Sequence, residues 1–113
     1  MQAKTIKEYL IATRYIIDNY GWCQNSYFKF KNGAPFWSEM KIDPQTFGGS
    51  CLEGAINLVE AVDDLRRATI NTIEQALPLF VNTTLRTLPH FNDAQGRTKE
   101  DVLALLDKLI EKA

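Results

Sequence analysis

The strongest constraint on this chain is a helical stripe near its amino terminus, bounded at both ends. Ile6, Leu10, Thr13, Ile17 and Tyr20 recur at three- and four-residue steps, and Tyr9 and Ile16 widen the stripe. Such a face is stable only when buried against other elements. Thr5 and Glu8 have the S/T-x-x-E spacing of a capping box, and Gly21 stands where a helix terminator is wanted. The spacing predicts a helix over 5–20.

After Gly21 the period changes. Phe28 and Phe30 alternate with Lys29 and Lys31 up to Asn32-Gly33, a dipeptide suited to a tight hairpin turn. A two-stranded hairpin over 27–37 is expected, its second strand short or at an edge because Pro35 cannot donate to a ladder. Its aromatic face must lie on the helices, since an isolated hairpin is marginal in water. Residues 38–49 lack periodicity, contain Pro44 and Gly48-Gly49, and read as a loop that offers a binding surface.

Ser50 and Glu53 repeat the capping-box spacing before a second stripe of Leu52, Ala55, Ile56, Val59 and Val62, with Asp63 and Asp64 marking its end. A third helix carries Leu65, Thr69, Ile73, Ala76, Leu77 and Phe80. Pro78 predicts a kink or restart within it, and turns continuing through Val81, Leu85 and Leu88 are expected to stop at Pro89. The last helix opens with Thr98 and Asp101 and buries Val102, Leu103, Leu106, Leu109 and Ile110. The expectation is a mainly α fold, four to five helices packed in one domain over 1–113 with a small inserted aromatic hairpin. A chain of 113 residues supports one core, and its 45% apolar and 24% charged residues are those of a folded protein.

Composition also narrows the function. A formal net charge of -1 provides no basic field for nucleic acid or an anionic membrane surface. No apolar run approaches bilayer length and no cationic leader precedes an apolar segment, so a cytoplasmic protein with free thiols is expected. Two cysteines, Cys23 and Cys51, are too few for a disulfide framework, though one bridge between them stays open beside the free-thiol reading, and they form no zinc motif; no cofactor or metal signature is present.

Gly21-Trp22 with Gln24, then Gly49-Ser50-Cys51-Leu52-Glu53-Gly54-Ala55, then Phe91-Asn92-Asp93 leading into Arg97-Thr98-Lys99-Glu100-Asp101-Val102 succeed one another along the chain. In that order they resemble a family of small uncharacterised bacterial and phage proteins. Residues 65–88 fit the pattern less well, and tryptophan is more usual where this chain has Phe91. The resemblance implies an accessory protein and brings no reaction with it.

Chemistry must therefore be sought residue by residue. Cys51, in the first turn of a helix, is placed where backbone N–H groups lower a thiol pKa, and His90 is the only candidate base. With Asn92 or Asp93 these would form a Cys/His/Asn-type set. The simpler reading is that Cys51 packs beside Leu52. Gly49 and Ser50 before a helix could hold a small anion through backbone N–H groups, or merely cap and enter the helix. Asn92, Asp93 and Arg97, near Trp22 and Gln24, either close turns or line a shared polar site. The dense aromatic set Trp22, Tyr27, Phe28, Phe30, Phe36, Trp37 and Phe47 should be mostly core, with Trp37 or Phe47 as interface anchors if exposed. Lys29 and Lys31 read as a solvated edge.

The resulting expectation is a non-catalytic binding or accessory protein, phage-linked by resemblance. It would act through a protein partner or a small anionic ligand, with no nucleic acid and no membrane. The alternative is a cysteine-dependent hydrolase or transferase using Cys51 and His90.

Overall fold

The computed structural model describes residues 2–36, 43–80 and 87–113. Helix α1 (Ile6–Tyr20) follows from its stripe and buries Tyr9, Leu10, Thr13, Ile16 and Ile17. Thr5 Oγ1 accepts from the Glu8 amide at 3.1 Å, whereas the Glu8 carboxylate accepts from Lys4 N, one residue beyond the box position. At its centre the buried Tyr9 hydroxyl donates to Ile56 O at 2.6 Å, so the aromatic is buried without an orphaned polar atom.

The expected hairpin is present as β1 (Phe28–Phe30) and β2 (Pro35–Phe36), with Pro35 on a two-residue edge strand. Its turn differs from a two-residue turn with both central residues at positive φ. Gly33 alone carries the positive φ, Gly33 N donates to Phe30 O, and Asn32 Oδ1 accepts from Ala34 N. The hairpin becomes a sheet through a third strand, β3 (Phe47–Ser50), giving an antiparallel order β2-β1-β3. This strand lies in the segment expected to be a loop. Phe47 is buried against Phe28 and Tyr20, and the side-chain-free Gly48 and Gly49 let the backbone approach its neighbours, so tertiary packing overrides a sequence that reads as a turn. Trp37 lies outside the described residues.

Helix α2 (Leu52–Leu58) is shorter than its stripe suggests. Val62 falls in the following connection and is 60% exposed. Its cap is also one residue later than expected: Ser50 belongs to β3, and Cys51 caps the helix by accepting the Gly54 amide at 3.2 Å on Sγ. Helix α3 (Asp63–Phe80) opens at the acidic pair, where Asp63 accepts from Arg66 at 2.7 Å. It passes Pro78 without restarting, because the proline lies in the last turn, where one lost backbone bond disturbs little beyond it. The continuation through Val81 and Leu85 lies outside the described residues.

Pro89 does not stop a helix but starts one. Helix α4 (Leu88–Asp93) is capped by Thr87 and holds Pro89 in its first turn, where the missing N–H is no loss. Helix α5 (Lys99–Lys112) has the full Thr98/Asp101 capping box. It runs antiparallel to α1, joined by Arg14 Nε to Asp107 at 2.6 Å and Lys99 Nζ to Asp18 O at 3.0 Å. Between these helices, α2 and α3 lies one core that includes Tyr9, Leu10, Ile17, Ile56, Ile73, Leu77, Phe91 and Leu106. Among the described residues no helix is long and apolar enough to cross a membrane.

Candidate functional site

The three motifs distant in sequence meet at the end of α1. Gly21-Trp22 crosses Gly48–Ser50 at backbone contact: Ser50 N donates to Gly21 O and Cys23 N to Ser50 O, both at 3.1 Å, forming a parallel bridge between Trp22 and Ser50. Gly49 sits at φ +150°, where a Cβ would stand 2.8 Å from Trp22 N, so only glycine permits this crossing.

Asn92 closes the junction. Its side chain is fully buried. Oδ1 accepts from Trp22 Nε1 at 2.6 Å and Leu52 N at 3.0 Å, while Nδ2 donates to Cys23 O at 3.0 Å and Asp93 Oδ1 at 2.9 Å. That uses the ordinary capacity of a primary amide, leaving nothing for a ligand. Gln24 Nε2 reaches the Asn92 and Ala94 carbonyls, and Asp93 Oδ1 also accepts from Asn25 N at 2.9 Å. Arg97 does not join a shared polar site with Asp93. Its Nε donates to Phe91 O at 2.8 Å and its guanidinium lies 4.1 Å over the Phe91 ring. Trp22, Gln24, Asn92 and Asp93 are thus brought together, chiefly by bonds that hold one another, while Arg97 packs on Phe91.

Beside this knot is a cleft of about 230 Å³ lined by Asn25, Ser26, Tyr27, Cys51, Glu53, Pro89 and Asp93. A larger depression, between α1 and the end of α5, is mostly apolar and contains none of these residues. Cys51 lines the cleft but is only 6% exposed. Burial pushes its thiol up to about 12, against the single helping N–H of Gly54, and neighbouring Cys23, Glu53 and Asp93 raise it further. The helix start thus fails to activate the thiol, because desolvation outweighs the dipole of a two-turn helix.

His90 is exposed on α4, and among the described residues no hydrogen bond joins it to Cys51. The backbone donors around Gly49 and Ser50 are likewise occupied: Ser50 N by Gly21 O, Cys51 N by Tyr27 O, Leu52 N by Asn92 and Gly54 N by Cys51. Ser50 Oγ is buried and has no hydrogen-bond partner among the described residues. No group of three His, Cys, Asp or Glu side chains suited to a metal occurs among the described residues.

A family of unknown function, DUF6197, matches residues 1–112. The chain belongs to DUF6197. No curated protein and no solved structure matches it. In this DUF6197 member the quoted motifs coincide with the knot around Asn92.

Sequence reasoning passed over Ser26, Tyr27 and Glu53 as cleft residues. Glu53 had a ready explanation as the N3 acid of a box, but with Cys51 as the cap its carboxylate is released to face the cleft. Burial and the nearby Glu74 raise its pKa. The signal for this was the cysteine directly after Ser50, an uncommon but competent cap.

Proposed function

We propose that this DUF6197 chain is a non-catalytic binding or accessory module, whose partner docks over the cleft between the 25–27 segment and the start of α2. The observation that carries the reading is the state of Cys51. The thiol facing the cleft is spent as a helix cap and held protonated by burial, so the cleft offers hydrogen-bonding and acidic groups rather than an activated nucleophile. Glu53 is half-buried, lacks a hydrogen-bond or ion-pair partner among the described residues and has Asp93 on the same cleft wall. These carboxylates match a partner that presents amine, amide or guanidinium donors, such as a basic protein segment. A small anion is the poorer match, because the nearby helix-start donors named above are occupied. A bacterial or phage setting, to which the motif resemblance points, belongs to the same proposal.

The test is native mass spectrometry of the protein taken gently from its host, paired with the variant Glu53→Lys. A reproducible hetero-complex that disappears in the variant, while the fold persists by circular dichroism, is the expected result. Free chain in both samples, together with substrate-dependent acylation of Cys51, would overturn the proposal in favour of a hydrolase or transferase.

A further inference from the structure

The two cysteines are neighbours by construction. Trp22 and Ser50 form the parallel bridge, and Cys23 and Cys51 are the next residues on each segment. The bridge is isolated, so the ladder does not run on to the cysteines, but bridged residues sit about 5 Å apart, and Cys23 and Cys51, one residue further on, start close to the roughly 4.4–6.8 Å Cα separation that a disulfide accepts. Both cysteines also converge on one carbonyl. Cys51 N donates to Tyr27 O at 2.8 Å, and Cys23 Sγ lies 3.9 Å from that same oxygen. The other Cys23 thiol contacts, to Ser26 O at 3.5 Å and Ser26 Oγ at 3.8 Å, are weak and easily given up. Both cysteines are equally buried, and Cys51 is the one that lines the cleft.

We propose that Cys23 and Cys51 are an oxidisable pair, closing to an intramolecular disulfide when a peroxide enters the cleft and reacts at Cys51. The Cys51 sulfur attacks one peroxide oxygen, the O–O bond breaks, and Cys51 becomes a sulfenic acid as the first water leaves. The Cys23 sulfur then attacks the Cys51 sulfur, the S–O bond breaks, and the hydroxyl departs with the Cys23 proton as the second water. Two thiols lose two electrons and two protons in all, and one hydrogen peroxide is reduced to two waters. Because burial keeps both thiols protonated, closure answers sustained rather than brief oxidant. The bridge fastens the turn after α1 to the start of α2 and turns the Cys51 sulfur away from the Gly54 N–H that it now accepts. The inference stands independently of the binding role proposed above.

The test exposes the intact folded protein to hydrogen peroxide and follows it by intact mass and peptide mapping. The expected product has lost two hydrogens, contains a linked peptide bearing Cys23 and Cys51, reverts with dithiothreitol, and shows a shifted Gly54 amide resonance. In Cys23→Ser the same exposure leaves a Cys51 sulfenic acid that a dimedone probe labels. Free thiols after an exposure about a thousand-fold longer than one that fully oxidises a small-molecule thiol would overturn the proposal. So would disulfides between chains, or Cys51 driven to sulfinic acid beside a free Cys23. If Cys23→Ser does not fold, the wild-type peptide map decides alone.

Discussion

Replacing Asn92 by alanine strips four hydrogen bonds from one buried side chain and should be among the most damaging single substitutions in this protein. The change orphans Leu52 N–H, Trp22 Nε1–H and Cys23 C=O. A buried unsatisfied polar group costs about 1–3 kcal/mol. Leu52 is fully buried and pays toward the upper end, while half-buried Trp22 can reach water after a small shift and pays toward the lower. The sum is about 3–5 kcal/mol, or a fall in Tm of roughly 10–20 °C for a domain of this size.

Urea unfolding followed by circular dichroism measures this directly. Asn92→Asp sharpens the test: it keeps an acceptor for Trp22 and Leu52 but sets a carboxylate against Cys23 O and the Asp93 carboxylate. Its defect should be larger at pH 8 than at pH 5, where protonation restores a donor. A loss below about 1 kcal/mol for Asn92→Ala, with an unchanged m-value, would refute the view that Asn92 holds the junction.

Gly54→Ala should destabilise by roughly 2 kcal/mol despite alanine's better helix propensity, because its Cβ would stand 2.5 Å from Tyr27 O; chemical denaturation reads this. Cys51→Ser should keep the helix cap while Cys51→Ala loses about 1 kcal/mol, a comparison that thermal melts resolve. Native Cys51 should react with iodoacetamide on the order of a thousand-fold more slowly than the unfolded thiol, measured by mass spectrometry with and without urea. The raised Cys51 thiol also sets a sign at alkaline pH. Its contribution is fully present below the ordinary cysteine range and is lost as pH rises from there toward about 12, so stability should fall over that interval. Glu53 acts in the same sense at lower pH. Its raised carboxyl favours the fold below the ordinary carboxylate range, and that contribution is lost as pH rises through the raised value, so Glu53→Gln should flatten the dependence in a stability titration.

The amphipathic helices α1 and α5 were legible because their stripes and caps agree with their burial. The hairpin was legible because its period is two and Asn32-Gly33 punctuates it. The third strand was not, because Gly48-Gly49 in the middle of Phe47-Gly48-Gly49-Ser50 reads as a turn, and the segment pairs only where a neighbouring backbone comes close enough to need glycine. Pro89 illustrates a directional ambiguity: the same residue ends one helix or begins another, and here Thr87 before it settles which. The meeting of the Trp22, Cys51 and Asn92 motifs was legible as a gathering, but the amide of Asn92 had to be placed before its four bonds could be counted. The cleft itself was hidden, since which acid faces it depends on a cap shifted by one residue.

The antiparallel pairing of α1 with α5 bears on how the protein is made. Tyr9, Leu10, Ile16 and Ile17 leave the ribosome well before Val102, Leu105, Leu106 and Leu109, which close the core over them. Translation therefore leaves the apolar face of α1 without its α5 partner for the whole interval in which the residues between them are made. During that interval the face is available to a chaperone or to another unfinished copy, and the burden eases only when α5 leaves the ribosome.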